Sequence, residues 1–194
     1  MSATSVAAGR PSAPAMSATS LAVGRPSTTS SSAASSSTGS AIIAVANVTP
    51  FGDSNVRGTV NFRQSDAKSP TIITYDLTGI TPSTLRAIHI HELPNTNCNA
   101  TMGHYNPNMM PHGLLGDRVR HAGDLGNIVI DSSGNAKGSL IASLVTLVGD
   151  KRVVNRTFVM HNGVDDGGRT GVGTSNSTGN SGIRVACGII NLVP

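Results

Sequence analysis

Leu85-Arg86-Ala87-Ile88-His89-Ile90-His91 is the stretch on which the reading of this chain turns. Isoleucine and histidine alternate over positions 88 to 91, and strand side chains alternate faces, so both imidazoles project to one side and both isoleucines to the other. Histidines at i and i+2 on one strand face favour a shared metal ion. The text around them has the same grain. Short β-rich runs occur at Ile42 to Val48, Gly58 to Arg63, Thr71 to Leu77, Leu85 to His91, Gly126 to Asp131, Ala136 to Ser143, Val153 to His161 and Arg184 to Leu192. Turn residues divide them at Phe51-Gly52-Asp53-Ser54, Thr78-Gly79 and Ser132-Ser133-Gly134-Asn135. Eight short strands without a convincing helix imply an all-β antiparallel barrel or sandwich. With no tryptophan, two tyrosines and three phenylalanines, its core has to rest on Val, Ile, Leu and Ala.

All six histidines of the chain lie between His89 and His161. His104, His112, His121 and Asp124 occupy a Gly-, Pro- and Asn-rich stretch with little periodicity, which reads as a long loop able to fold its ligands around a second ion. His161 follows an apolar run from Val153 and is distant in sequence, so the fold must return it to the others. Six imidazoles and one carboxylate make seven ligands, one short of two four-coordinate ions. The count closes if one imidazole bridges, giving four nitrogens at one ion and three nitrogens with a carboxylate oxygen at the other. An all-imidazole set suits Cu(II) and a closed His3Asp set suits Zn. The residues leave open which histidine bridges. A zinc-only loop from His104 to Asp124 is the competing reading, and it gives His89, His91 and His161 no role.

These motifs, in their order and spacing, resemble the copper/zinc superoxide dismutases over roughly Ala41 to Val193. The resemblance implies an eight-stranded antiparallel Greek-key barrel, an Ig-like sandwich, with a long metal-binding loop and an electrostatic loop. By that similarity His89, His91, His104 and His161 hold copper, His104, His112, His121 and Asp124 hold zinc, and His104 is the bridge. Asp165 is then the carboxylate that hydrogen-bonds ligands of both metals, and Arg184 the anion-guiding arginine beside copper. Cys98 and Cys187, which on their own are equally readable as free buried thiols, take the places of the family's intrasubunit disulfide. The activity implied is conversion of two superoxide anions and two protons to O2 and H2O2 by Cu(II)/Cu(I) cycling, with an imidazolate bridge to zinc that also delivers a proton.

Some positions depart from the pattern. In the loop from Val164 to Gly182, places that usually carry two acids and a guiding lysine read Gly173, Thr174 and Ser177, leaving Thr178 and the basic Arg169. Between His91 and Cys98 the loop is about two residues shorter, with Leu93-Pro94 in place of the family's interface Phe-Gly. Ile189 and Leu192 still offer an apolar patch, so a homodimer is the expectation and a monomer the alternative. Loading by a copper chaperone is a further implied partnership. A metal-delivery protein on the same barrel, or a silent family member, is the rival reading; the first would lose copper ligands or add Cys-x-x-Cys, the second would lack His161 or Arg184.

Residues 1 to 40 form a separate region. They hold no acidic residue, the first carboxylate being Asp53, and are dominated by Ser, Thr, Ala, Gly and Pro, a composition that buries too little apolar area to fold. Ser2-Ala3-Thr4-Ser5 through Ser12 returns at Ser17-Ala18-Thr19-Ser20 through Ser27, a duplication with a period of 15. We expect a disordered extension on a domain spanning 41–194. The domain is then cytoplasmic, or organellar (plastid) if the extension acts as a transit peptide. No run approaches the ~20 apolar residues of a membrane span. Fourteen Lys and Arg against ten Asp and Glu give a formal charge of +4, but with no basic run or aromatic platform there is no case for nucleic-acid binding. Sequons at Asn47, Asn99, Asn155 and Asn176 matter only in a secreted chain.

Overall fold

The computed structural model describes residues 40–194. The expectations for the extension and its duplication, positions 1–39, lie outside them. Eight antiparallel strands follow in order: β1 Ile42–Pro50, β2 Arg57–Gln64, β3 Thr71–Thr78, β4 Leu85–His91, β5 Asp124–Val129, β6 Ala136–Ala142, β7 Thr157–His161 and β8 Arg184–Leu192. They are hydrogen-bonded in the spatial order β5-β4-β7-β8-β1-β2-β3-β6. Chain neighbours β3 and β4 lie far apart in this order, as do β6 and β7, so the connections 79–84 and 143–156 run between distant strands, the Greek-key habit. The expected fold class is the one observed.

Packing follows the alternation. Val60 and Phe62 on β2, Ile73 and Leu77 on β3, Ile88 and Ile90 on β4, Phe158 and Met160 on β7, and Ile190 on β8 fill one continuous core, each with an exposure of 0%. Two phenylalanines thus join the expected aliphatic residues. Strand β4 is buried on both faces from Ala87 to His91, because the outer face is covered by the loops that carry the remaining histidines.

Strand limits differ from the sequence reading chiefly at β7 and β5, while β1 runs two residues further, to Pro50. The apolar Val153 and Val154 belong to a turn before β7: Val153 N–H donates to Thr146 O, Arg156 N–H donates back to Val153 O, and Asn155 takes φ 63°. β5 begins two residues earlier than expected, at Asp124 paired with His89, and ends at Val129, beyond which Asp131 opens a turn with Asn135. Apart from one short α1 helix, Ser175–Thr178, and a 3-10 turn at Cys98–Ala100, the described residues contain no helix. None of their helices is long and apolar enough to cross a membrane.

Candidate metal centre

The barrel wall supplies the first three histidines. His89 and His91 point outward from β4, opposite Ile88 and Ile90, and His161 ends the neighbouring β7, where the register with β8 shifts between Met160 and His161. His104 arrives by loop closure. Glu92 N–H donates to Gly103 O and Leu93 N–H to Thr101 O, so the chain doubles back and sets His104 against His91 as an isolated β-bridge. A second closure anchors the rest of the loop: Ile90 N–H donates to Gly123 O, Gly123 N–H to Tyr105 O, and Tyr105 N–H to Ile90 O. A Cβ on Gly123 would stand 2.2 Å from Ile90 O, so this three-way junction closes only without a side chain there.

The result is two overlapping donor clusters, each with ligand atoms within 4.8 Å of one another: His89, His91, His104 and His161, and His104, His112, His121 and Asp124. All seven side chains are buried. In the first cluster His89 Nδ1 and His104 Nε2 have no hydrogen-bond partner, and His91 Nε2 faces His161 Nε2 at 3.3 Å. The opposite ring nitrogens are all engaged: His89 Nε2 with Asp165, His91 Nδ1 with Met102 O at 2.8 Å, and His161 Nδ1 with Gly182 O at 3.1 Å. Buried, unpartnered nitrogens pointing at a common centre are what a metal ion satisfies. In the second cluster three Nδ1 atoms converge on Asp124: His104 at 2.8 Å, His112 at 3.0 Å and His121 at 3.1 Å. The His104 ring belongs to both, one nitrogen to each.

Asp165 spans the two clusters from outside. Its Oδ2 lies 2.8 Å from His89 Nε2 and its Oδ1 2.8 Å from His112 Nε2. Although His89, His112 and Asp165 are close enough to hold an ion themselves, the two nitrogens facing the carboxylate are those left over from the clusters, so Asp165 orients both rings rather than forming a third site.

Electrostatics follow from burial. His89 and His91 are held well below the ordinary histidine range by burial and then by the neighbouring His104, and burial depresses His161 to about 4. These rings are therefore neutral and ready to donate a lone pair. His112 goes the other way: burial opposes its charge, but hydrogen bonds to Asp124 and Asp165 win and raise it to about 9. Asp124 and Asp165 stay well below the usual carboxylate range; burial works against their ionised forms, and the histidine hydrogen bonds overcome it.

Arg184, at the start of β8, sits beside the first cluster. Its guanidinium donates through Nη1 to Cys98 O at 2.6 Å and through Nη2 to Met102 O, the same carbonyl that receives His91 Nδ1. Its charge also contributes to lowering His91 and His161. The Cys98–Cys187 disulfide is formed, across 89 residues, and it ties the loop that carries Cys98 O to β8. A model of the copper/zinc superoxide dismutases matches residues 56–190. The chain belongs to the copper/zinc superoxide dismutase family. It is similar to superoxide dismutase (Cu-Zn) of Neurospora crassa, 49% identical over 143 residues that cover 73% of this chain and 93% of the relative. The corresponding proteins of Humicola lutea and Cordyceps militaris are 46% and 49% identical over the same length, again covering 73% of this chain and 93% or more of theirs. The enzyme class implied by the sequence is the class found.

The site residues named from the sequence lie in or beside the two donor clusters. Three contributors were not foreseen. Asn127, on β5, holds the backbone of Asp165. Gly179, with φ 64°, lies so close to Asp165 and His112 that a Cβ would stand 1.9 Å from Asp165 Oδ1. Asp117 takes up Arg169: one guanidinium nitrogen reaches both carboxylate oxygens at 3.0 and 3.1 Å. Arg169 is thus engaged in joining the two loops, and the helix α1 beside it carries no charge.

Proposed function

We propose that this protein dismutates superoxide, two anions and two protons giving O2 and H2O2. His89 Nδ1 with Nε2 of His91, His104 and His161 would hold copper, and Nδ1 of His104, His112 and His121 with Asp124 would hold zinc. The observation that carries the reading is the His104 ring, with Nδ1 2.8 Å from Asp124 and Nε2 buried without a partner among three other imidazoles. Copper held there would supply the one-electron chemistry that oxidises one superoxide and reduces another.

The protein's residues supply the rest. Two of the five guanidinium N–H groups of Arg184 are spent on the Cys98 and Met102 carbonyls. The remaining donors, and the charge, are available to draw in a small anion. His104 Nε2 is the atom at which a proton is held and given up, since Nδ1, on the Asp124 side, would be taken by zinc. Asp165 keeps the His89 and His112 rings in the tautomers that turn Nδ1 inward. Zinc held by His104, His112, His121 and Asp124 would fix the plane of the shared ring.

A homodimer belongs to the same proposal. Leu93, Leu192 and Val193 expose apolar surface, and the short loop carrying Leu93 is pinned to β7 by Thr157 Oγ1 donating to Leu93 O and by Arg156 donating to Glu92. Sedimentation of the metal-loaded protein tests it, a dimer being expected. For the activity, the test is metal content measured together with superoxide dismutation after reconstitution. About one copper and one zinc per chain with cyanide-sensitive turnover is expected; zinc alone, or both metals without turnover, would favour a structural or delivery role.

A further inference from the structure

Beside Arg184, on the side formed by the β1–β2 turn and the approach to β4, lies a cavity of about 530 Å³. Cavities of ~300–1,000 Å³ suit small organic ligands. Phe51 and Ile183 give it apolar walls, and Ile183 is 69% exposed among the described residues, a large aliphatic surface. Two arginines are among the residues that line it, Arg184 and Arg86. Arg86 donates to Leu85 O and Thr81 O, each at 3.2 Å, and like Arg184 it forms no ion pair among the described residues. Each therefore keeps N–H donors unspent. Asn162 also lines the cavity; its Oδ1 accepts Ile183 N–H, so its amide NH2 remains to donate. Against these stands one acid, Asp53, and the lining is net positive.

We propose that this cavity binds small organic anions with a flat apolar body, a carboxylate meeting Arg86 and Arg184 while the body lies between Phe51 and Ile183. An inorganic anion could use the charged end alone. A body of the right shape is needed to cover Ile183, so an aromatic carboxylate binds better than phosphate.

The test is calorimetric titration of benzoate, and separately of inorganic phosphate, into the copper- and zinc-loaded full chain. Saturable benzoate binding, tighter than phosphate, is expected. Arg86→Gln should weaken it about tenfold, the scale of one charge-assisted hydrogen bond, and Ile183→Asp at least as much, with metal content unchanged in both. Benzoate affinity unaltered in the two variants, with a shift in the copper absorption band, would place the anion at the metal centre and overturn the proposal. So would phosphate binding as tightly as benzoate.

Discussion

Asn127 and Asp165 hold each other by a reciprocal pair of hydrogen bonds: Asn127 Nδ2 donates to Asp165 O and Asp165 N–H donates to Asn127 Oδ1, both at 2.8 Å. The pair fixes the backbone from which the Asp165 carboxylate reaches His89 and His112. Asn127 itself touches neither ring nitrogen. Asn127→Ala should therefore weaken zinc binding by about tenfold, at the low end for partners that orient ligands, and cost ~1–3 kcal/mol of stability through two unpaired backbone groups. Chelator competition reads the first and calorimetric melting the second. Unchanged zinc affinity would show that Asp165 needs no anchor.

Asp165→Asn probes the carboxylate directly. An amide has one oxygen to accept with, where the carboxylate accepts from two rings. One histidine then loses its partner and its tautomer is no longer imposed. Zinc affinity should fall about 10–100-fold, while the barrel core, which Asp165 does not enter, keeps its cooperative melting.

For Arg184→Glu, kcat/KM for superoxide should fall and copper and zinc contents should hold. With Arg169 engaged by Asp117 and no charge on α1, the anion capture proposed above rests mainly on Arg184. The parent's rate should therefore fall as salt is added, and the variant's should not fall. An undiminished rate in the variant would remove Arg184 from substrate capture.

The metal-free domain should be sensitive to acid. His89, His91, His104 and His161 are depressed in the folded protein, burial being the first cause in each. Once unfolded, they bind protons near the ordinary value of ~6.5. As pH falls below that value, the unfolded chain gains protons that the folded chain refuses, and stability drops. His112, raised to about 9, contributes stability that is fully present below ~6.5 and lost as pH rises through about 9. Calorimetry of the apo protein should find the highest melting temperature near neutrality, with a decline on going to pH 5 that is the steeper side. A melting temperature that rises on acidification would contradict this account.

Reduction of Cys98–Cys187 should cost ~4–5 kcal/mol by the loop-entropy estimate for a closure spanning 89 residues. It should also lower dismutation beyond what the stability loss explains, because the carbonyl that positions Arg184 belongs to Cys98. Activity and melting of the reduced, thiol-blocked protein measure the two effects.

What could be read in advance followed locality. Strand β4 declares itself by alternation, and its histidines need only the strand's geometry to share a face. The limits of β5 and β7 were hidden because apolar content says nothing of hydrogen-bond direction: Val153 and Val154 look like strand and pack as a turn. Asn127 left no trace, since its bonds run to a backbone 38 residues away. The same holds for Asp117, whose partner Arg169 is 52 residues distant. Side-chain contacts of that span have no period and no motif in a single sequence.

One imidazole, that of His104, faces both donor clusters. Its plane is a property the two sites have in common, so fixing it through Nδ1 also settles where Nε2 points. Two ions sharing that ring would be linked thermodynamically, and linkage is reciprocal: whatever factor one applies to the other's affinity is returned in full. On the proposed reading, a chain starved of zinc should be a poorer host for copper.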